Sequence, residues 1–355
     1  MMAESVCWIT YDFSPNSHPP LPGGCGYYRC YIPMMTMPDI AGRMGRPAWT
    51  AHDGFGVQND ARSGLWGFDV VVIKLLMARN TVTQIEKAQW LGQKIVVDVD
   101  DWYEDLPETN QAHWVTDPEK NKVVNRDHYR DVIMAADRVT VSTQFLLEKY
   151  SQMRDNVHLV PNVINPTAFP ESKVRNRKPV IGWVGGIPWR GGDIELLQPW
   201  LPDFLEQHDL MFHHAGHMPD RQSFAELSGV ETSRITTSPM RPLHEYFWYS
   251  FREFDIGLVP LNDIPFNHAK SSLKGMEYTG AGIPFVAQGL PEYQAIAANG
   301  VGRVANTPSE WVAHMTELLE YKTRKRDTAV NLANLRKLYM PKDVAPLWRE
   351  VLTKC

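Results

Sequence analysis

Hydrophobic positions along the chain fall into two kinds of block that alternate. Short apolar runs rich in Val and Ile have the pattern of strands buried on both faces, and longer amphipathic segments lie between them. This alternation predicts parallel sheets covered by helices, in two successive series. The predicted strands of the first series lie near 6–11, 48–52, 70–74, 94–99, 138–141 and 157–160; those of the second lie near 180–184, 211–214, 234–237, 255–260, 284–287 and 301–304.

Helices are predicted between these strands. They lie at about 27–37, 81–91, 122–136 and 143–150 in the first series, and at 193–205, 243–251, 272–279 and 292–298 in the second. A polar, proline-bearing stretch after Asn162 is interpreted as a linker between domains. We therefore predict an α/β protein with an N-terminal domain over 1–165, a linker over 166–178, a second domain over 179–340 and a C-terminal helix within 341–355.

The segment FDIGLVPLNDIPFNHAKSSLKGMEYTGAGIPFVAQ, residues 254–288, carries the strongest chemical signal. Ser271 or Ser272 can cap a helix after the first apolar strand, and glycines stop that helix before the second strand. Lys270, Lys274 and Glu277 follow i, i+4, i+7 spacing, which places them on one helix face. A helix N-terminus with two ammonium groups suits a diphosphate, and the carboxylate can accept hydrogen bonds from ribose hydroxyls. The alternative is an amphipathic helix with a surface ion pair, worth about 0.3–0.5 kcal/mol.

A second glycine-rich segment, VIGWVGGIPWRGGDIELL, opens the second series at residue 180. A buried strand runs into Gly185 and Gly186, and Arg190 follows in the loop before the next helix. Glycines let the backbone approach a ligand closely, and arginine pairs well with phosphate oxygens. A simple turn is the alternative interpretation.

Two segments of the first series also place polar groups at strand ends. A glycine loop after the first strand precedes a helix whose first turns carry Tyr27 and Arg29, although a surface turn of Pro and Gly has the same pattern. The run KIVVDVDDWYEDLP ends a strand in Asp98, Asp100 and Asp101. Crowded carboxylates repel one another unless they bind a cation, a hydroxyl-rich ligand or donor groups. An Mg²⁺ site, hydrogen bonds to sugar hydroxyls and structural capping all remain open.

Composition excludes several other classes of protein. The chain has 355 residues, a net charge of −5 and no zinc-like spacing among its four cysteines, which we interpret as reduced thiols. The N-terminus lacks a signal-peptide pattern, and the longest apolar run is too short to span a membrane. These features predict a soluble cytoplasmic protein. The sequence has no HExxH, Walker or CxxC motif, so it gives no indication of a metalloprotease or an NTPase.

The segment 254–288 resembles the donor-binding core of the retaining glycosyltransferases of family 4, and VVDVDDWYEDLP is similar to a motif in bacterial and bacteriophage members. The resemblance implies the GT-B fold, in which two Rossmann-like domains face each other across a cleft and the last helix crosses back to the first domain. It also implies that Glu277 holds the ribose of a nucleotide sugar. The family often has a second glutamate eight positions earlier, where this chain has Ala269.

The resemblance implies roles for further residues. A histidine at the position of His113 touches the transferred sugar in part of the family, and the loop of Met240 is where the family places the nucleobase. The implied catalytic residues are Lys270, Arg190 and His113. The donor-binding set is Gly185, Gly186, Arg190, Met240, Lys270, Ser271, Ser272, Lys274 and Glu277, and the acceptor side comprises Gly24, Gly26, Tyr27, Arg29, Asp98, Asp100 and Asp101.

The function that this combination predicts is transfer of a hexosyl or pentosyl group from a nucleotide diphosphate sugar to an acceptor hydroxyl, with retention. No tightly bound cofactor is expected and no divalent metal is required. The acceptor is a modified DNA base, a protein or a glycan, and a bacteriophage enzyme acting on DNA bases or virion protein fits the motif. A non-catalytic nucleotide-sugar or carbohydrate-binding protein and a nucleotide-sugar epimerase are the alternatives, and Ala269 favours the first of them.

Overall fold

A computed structural model describes residues 5–12, 22–45, 68–74, 76–169 and 177–353, apart from the side chain of Trp189. These residues form two compact units. The first unit falls within 1–106, 112–163 and 341–355, and the second within 107–111 and 164–340. The short segment 107–111 thus packs with the second unit, whereas the sequence pattern assigns it to the first domain.

The first unit contains a six-stranded parallel sheet with the order β2-β1-β3-β4-β5-β6. Its second strand was not predicted, because its residues, AGRMG, lack an apolar run. The predicted strand near 48–52 lies outside the described residues. The strands are β1 Ser5–Thr10, β2 Ala41–Gly45, β3 Val70–Lys74, β4 Lys94–Val99, β5 Arg138–Val141 and β6 Val157–Leu159.

The first helical segment of this unit is irregular. It begins as α1 (Gly24–Gly26), continues as a π-helical stretch (Tyr27–Tyr31) and ends as α2 (Ile32–Thr36). Such π-helical stretches are rare and often occur at functional sites. The other helices of the unit are α3 Thr81–Trp90, α4 Gln111–Thr116, α5 Arg126–Ala135, α6 Gln144–Ser151 and, at the C-terminus, α15 Pro341–Val351.

The C-terminal helix α15 is anchored in the first unit. Trp348 packs edge-on against Trp8 of β1, with ring centroids 4.9 Å apart. The Arg138 guanidinium donates to the backbone carbonyl oxygens of Val351 and Thr353, at 2.6 and 2.8 Å, so it satisfies acceptors that the helix end leaves open.

The second unit contains another six-stranded parallel sheet, with the order β12-β11-β10-β7-β8-β9. The strand order reverses between β7 and β10: β8 and β9 follow on one side of β7, and β10, β11 and β12 follow on its other side. Open α/β sheets bind ligands past the carboxyl ends of the strands at such a reversal. The strands are β7 Ile181–Val184, β8 Phe212–His217, β9 Ile235–Pro239, β10 Ile256–Val259, β11 Phe285–Gln288 and β12 Arg303–Ala305.

Most helices of the second unit follow the predicted alternation, but the short helices at Phe224–Ser228 and Pro265–His268 were not predicted. The single helix predicted over 193–205 is wrong: a 3₁₀ turn at Ile194–Leu197 is followed by a separate helix, α7, at Leu201–Gln207. Pro199 cannot donate the backbone hydrogen bond that would continue the first turn. The remaining helices are α8 Phe224–Ser228, α9 Leu243–Tyr249, α10 Pro265–His268, α11 Leu273–Gly280, α12 Pro291–Ala298, α13 Pro308–Leu319 and α14 Tyr321–Leu338.

Aromatic residues fill the core of the second unit. Trp200 stacks on Trp311 with centroids 5.6 Å apart, and Phe212 stacks on Phe224 at 4.2 Å. All four side chains are buried. The first contact joins the start of α7 to α13, and the second fastens α8 to strand β8.

Within the described residues, the cysteines are unpaired and the helices lack the character of membrane spans. Cys7, Cys25 and Cys30 are free thiols there, and Cys355 lies outside that part of the chain. None of the helices described has both the length and the apolar character needed to cross a membrane.

Candidate functional site

Three polar side chains form a closed triangle beside the carboxyl end of β10. Lys274 Nζ donates to Tyr246 Oη and to Glu277 Oε2, each at 2.8 Å. The Tyr246 hydroxyl donates to the same Glu277 oxygen at 2.9 Å. Lys274 and Glu277 lie on α11, one turn apart, as their spacing predicts, and Tyr246 comes from α9.

Glu277 is buried and Lys274 and Tyr246 are half-buried, and this enclosure shifts the pKa of the lysine and of the tyrosine. Burial lowers the pKa of Lys274, and the Glu277 carboxylate offsets part of that effect. Burial and the adjacent Glu277 charge both raise the pKa of Tyr246 well above its usual value, so this phenol stays protonated and acts as a donor. The site therefore combines a cation and a carboxylate in surroundings that hold little water.

Arg190 brings a second cation to the same edge of the sheet. Its pair with Asp193 is loose, at 4.0 Å between NH1 and Oδ2. Its Nε is buried, and no hydrogen-bond acceptor for it occurs within the described residues. The positive charge of Arg190 also lowers the pKa of Lys274, although by less than burial does. An anion placed here would find an unused N–H donor and two cations.

Asp193 connects the two loops that meet at this edge. Its Oδ1 accepts hydrogen bonds from the Asn262 backbone N–H at 2.9 Å and from Asn267 Nδ2 at 2.7 Å. Burial raises the pKa of Asp193, and Arg190 and these hydrogen bonds oppose the rise. Gly192 lies beside this link with φ +79°, a conformation that favours glycine, and a Cβ there would lie 2.0 Å from Asn262 Nδ2.

The start of α11 differs in detail from the predicted cap. Ser272 holds the N-cap position, but its side chain makes no capping hydrogen bond. Ser271 precedes it in the loop and is half-buried.

The prediction that Lys270 shares a helix face with Lys274 and Glu277 is wrong, because α11 begins only at Leu273. Lys270 lies in the preceding loop and is half-buried, with its ammonium 4.0 Å from the centroid of the Phe266 ring. Ala269, where the resembling family often has a glutamate, is 0% exposed.

The other residues that the sequence predicts to bind the donor lie directly after β7 and β9. The Gly185 N–H donates to Ala215 O at 2.9 Å, and the Gly185 carbonyl bonds to His214 Nε2 at 3.0 Å. Gly186 follows in extended conformation and leads into the loop of Arg190. Met240 directly follows β9 and is exposed.

At the carboxyl edge of the first sheet, Arg29 and Asp98 form a buried ion pair. Arg29 NH2 lies 2.6 Å from Asp98 Oδ1, and its NH1 donates to the Val160 carbonyl oxygen at 2.6 Å. Thr140 donates to the same Asp98 oxygen at 2.6 Å. Burial alone would lower the pKa of Arg29, but the neighbouring Asp98 carboxylate has the larger combined effect and raises it. Both side chains are therefore held inside the unit by protein partners.

A second ion pair, Lys74 with Asp100, lies on neighbouring strand ends. Burial alone would lower the pKa of Lys74, but Asp100 raises it above the usual value. The Cys25 thiol also donates to Asp100, and burial raises the pKa of that thiol well above its usual range. Asp101 is half-buried beside them.

The glycine loop after β1 wraps around Asp12, which sequence reasoning did not select. Asp12 accepts the Gly26 N–H at Oδ2 (3.2 Å) and the Gly23 N–H at its carbonyl oxygen (2.7 Å). Gly24 is exposed, and Tyr27 is half-buried and stacks on Tyr31 at 5.6 Å. Burial raises the pKa of Tyr27 to about 12.

His113 lies on α4 and is half-buried. Its Nδ1 bonds to the Leu106 carbonyl oxygen at 3.0 Å, and its ring packs edge-on to Trp114. The structure places it in the first unit together with Asp98, Asp100 and Asp101. The described residues contain no group of three or more His, Cys, Asp or Glu side chains that could hold a metal ion.

Sequence reasoning missed Tyr246, Asp193, Lys74 and Asp12. Three of them lie directly after or near glycine-rich turns or strand ends, which is a usable signal. Tyr246 had none, because it lies on an amphipathic helix 31 residues away from Glu277.

No protein-family model matches the sequence. Among curated proteins, the chain is 28% identical over 188 residues to a Bacillus subtilis (strain 168) protein named "Putative teichuronic acid biosynthesis glycosyltransferase TuaH". The match covers 48% of this chain and 45% of the relative, so it spans less than half the length of that protein.

Solved structures resemble the chain over nearly its whole length. Anabaena Alr3699/HepE in complex with UDP and glucose has a TM-score of 0.65 at 14% identity, with 99% of both chains covered. A glycosyltransferase from Rickettsia africae has a TM-score of 0.64 at 10% identity, with 98% of this chain and 97% of the other covered. Likeness at such low identity shows the fold, and the chain has the α/β GT-B fold.

Proposed function

We propose that the chain is a glycosyltransferase that moves a sugar from a nucleotide diphosphate sugar to an acceptor hydroxyl. The observation that carries this proposal is the partly buried triangle of Lys274, Glu277 and Tyr246 at the reversal point of the second sheet. The names of the similar proteins support it: TuaH is named as a glycosyltransferase, and HepE was solved with UDP and with UDP-glucose.

The donor's nucleotide half would bind along α11 and the loops around it. Glu277 accepts hydrogen bonds from ribose hydroxyls, and the loop of Met240 borders the nucleobase. The diphosphate lies at the N-terminus of α11, beside Ser271 and Ser272, where backbone N–H groups and the helix dipole favour negative charge. Gly185 and Gly186 let the backbone approach the same phosphates.

The reaction needs stabilisation of the diphosphate that leaves. The bond between the anomeric carbon and the phosphate oxygen breaks, and the acceptor oxygen forms the new bond to that carbon. Lys270, Lys274 and Arg190 stabilise the charge that develops on the diphosphate. The departing phosphate takes the acceptor proton, which requires no protein carboxylate at the position of Ala269. Attack from the face that the diphosphate leaves gives retention, the outcome typical of family 4.

The acceptor side is assigned to the first unit. The loop of Gly24 and Gly26, with Tyr27 after it, and the exposed part of the Asp100 and Asp101 region would contact the acceptor, and His113 would contact the transferred sugar. Arg29 and Asp98 would stabilise the carboxyl edge of the first sheet without contacting the acceptor, because their side chains are buried. A net charge of −5 argues against duplex DNA as the acceptor, since phosphate contacts use clustered cations.

Several finer expectations belong to the same proposal. The enzyme transfers a hexose or a pentose, works without a bound metal and acts in the cytoplasm. Its acceptor is a glycan, a protein or a modified base, and a bacteriophage role follows from the sequence resemblance alone.

A second candidate is a non-catalytic protein that binds nucleotide sugars. The observation that favours it is Ala269, fully buried where the resembling family often has a glutamate. Such a protein would keep Glu277 and Lys274 for binding and turn nothing over.

The test is a thermal-shift screen of the chain against UDP, GDP, ADP, CDP and dTDP sugars, followed by a hydrolysis assay on each donor that binds. A glycosyltransferase stabilised by one donor releases free sugar from it slowly. A binding protein leaves the donor intact, and an epimerase changes the sugar. Failure of well-folded protein to bind any donor at millimolar concentration would contradict the proposal. NMR of the anomeric proton in a product then decides retention.

A further inference from the structure

Tyr278 lies between two strands at the reversal point of the second sheet. Its hydroxyl accepts a hydrogen bond from the Val184 backbone N–H and donates one to the Leu258 backbone carbonyl oxygen, each at 3.1 Å. Val184 is the last residue of β7, and Leu258 is the next to last of β10. One side-chain hydroxyl therefore bridges the backbones of both strands.

The bridge stands where direct pairing of the strands ends. β7 and β10 pair through Ile181 with Ile256 and through Gly182 with Gly257. Beyond these two pairs, the phenol supplies the donor and acceptor that the neighbouring strand would otherwise supply. The Tyr278 hydroxyl thus joins the two backbones directly beyond the last residue pair of the ladder.

The surrounding residues are shaped to admit the ring. A Cβ at Gly257 would lie 2.6 Å from Tyr278 Cδ2, closer than real side-chain contacts allow. Tyr278 is fully buried, and its ring packs edge-on against Phe254 at 5.7 Å between centroids. The ring is thus enclosed by the core, with the backbone of Gly257 on one side and Phe254 against its edge.

The two bridged strands lead directly into the loops assigned to the donor phosphates. β7 continues into Gly185 and the loop of Arg190, and β10 continues into the loop that ends at α11. Tyr278 also follows Glu277 on α11, so the same helix turn carries the carboxylate of the site and the bridge beneath it.

We infer that Tyr278 is a positioning residue that sets the spacing between the two phosphate-facing loops of the donor site. The inference rests on the proposed function, because the ligand whose binding it controls is the donor diphosphate. Without the hydroxyl, the Val184 N–H and Leu258 carbonyl would be left buried and unpaired, or would pair directly and bring the loops together.

The test compares Tyr278→Phe with the parent protein in binding a nucleoside diphosphate and its monophosphate, using the base that the parent prefers. The diphosphate is expected to bind about tenfold more weakly, a loss of the size that unpaired buried groups produce. The monophosphate, which reaches fewer of the phosphate contacts, is expected to change within about twofold. Equal losses for both nucleotides, or none, would overturn the inference.

Tyr129→Phe is the matched control, since Tyr129 is a buried tyrosine whose hydroxyl has no hydrogen-bond partner among the residues described. This substitution removes a tyrosine hydroxyl oxygen from the first unit. It is expected to leave the affinities for the diphosphate and for the monophosphate unchanged. A change in nucleotide affinity as large as that of Tyr278→Phe would count against the inference.

Hydrogen exchange separates this inference from the proposed function. Tyr278→Phe is expected to speed exchange of the backbone amides in 184–193 and 258–272 relative to the rest of the second unit. If the parent binds no nucleotide, the proposed function fails, and the exchange result still decides whether Tyr278 sets the loops. Exchange in these loops that matches the parent would overturn the inference in either case.

Discussion

The two sheets carry charged residues at their carboxyl edges but use them differently. In the first unit, the side chains of Arg29 and Lys74 are 2% and 0% exposed, and each is paired with an aspartate. In the second unit, Arg190 and Lys274 are 24% and 18% exposed. Lys274 is also paired, with Glu277 at 2.8 Å, and Arg190 pairs loosely with Asp193 at 4.0 Å. The first edge therefore encloses its paired cations, whereas the second keeps its cations partly exposed, where an anion can reach them. Charge at a strand end therefore identifies a ligand site only when both its pairing and its exposure are known.

The largest effect is expected from breaking an internal pair of the first edge. Asp98→Ala leaves the Arg29 charge buried without its carboxylate, which should lower the free energy of unfolding by about 3–5 kcal/mol. Urea denaturation measures the loss.

Asp39→Ala is the control for that variant, because Asp39 pairs with Arg349 at the surface. Exposed pairs contribute about 0–1 kcal/mol. Equal losses for the two variants would show that the first edge is not organised by its buried ion pair, and the contrast between the edges would fail.

Glu277→Ala tests the second edge, where the loss should appear in binding. Hydrogen bonds to a charged group contribute about 1.5–3 kcal/mol, so a nucleoside diphosphate should bind about 10–100-fold more weakly. Isothermal titration calorimetry measures this change. Glu317→Ala, which breaks a surface pair with Arg303 in the same unit, should leave affinity unchanged. A Glu277→Ala protein that binds as tightly as the parent would remove Glu277 from the site.

Lys274 gives the second edge a pH dependence that the first lacks. Burial lowers its pKa below 10.5, so diphosphate affinity should fall as pH rises through that lowered value, while exposed lysines are still charged. The loss should be smaller than that of Glu277→Ala, because Arg190 and helix N–H groups remain. Lys274→Arg should keep its affinity at that pH, since arginine stays protonated.

The free energy of unfolding should change in the opposite sense over the same range of pH. The folded state disfavours protonated Lys274, so the unfolded state binds more protons between the lowered pKa and the ordinary one. Stability from this group therefore increases as pH rises through that window. Affinity and stability that fall together would indicate general alkaline unfolding in place of a Lys274 effect.

Local signals in the sequence were enough to predict the α/β fold and the helix of Lys274 and Glu277. That helix was predicted at 272–279 and lies at Leu273–Gly280, because apolar strands flank it on both sides, serines precede it and glycines end it. Strand β2 was missed since it has no apolar run, and α7 was predicted too long because Pro199 was not weighed as a break.

The pairing of charges could not be predicted from local pattern. Lys74 and Asp100 are 26 residues apart, and Arg29 and Asp98 are 69 apart, so their contacts depend on strand order. The three aspartates of the first edge left ligand binding and structural roles open for this reason. Their burial now separates Asp98, which is enclosed, from Asp100 and Asp101, which lie nearer the surface.

The smallest effect concerns the first turn of α11. Thr307 caps α13 with a full capping box, so Thr307→Ala should lower the free energy of unfolding by about 1 kcal/mol. Ser272→Ala should change it by less than about 0.5 kcal/mol, because the Ser272 side chain makes no capping bond. Thermal denaturation of both variants measures the difference. If Ser272→Ala cost as much as Thr307→Ala, the serine hydroxyl would cap α11 in solution. The backbone N–H groups there would then already have a hydrogen-bond acceptor. The carboxyl edge of the second sheet would resemble that of the first, whose polar groups are paired within the protein.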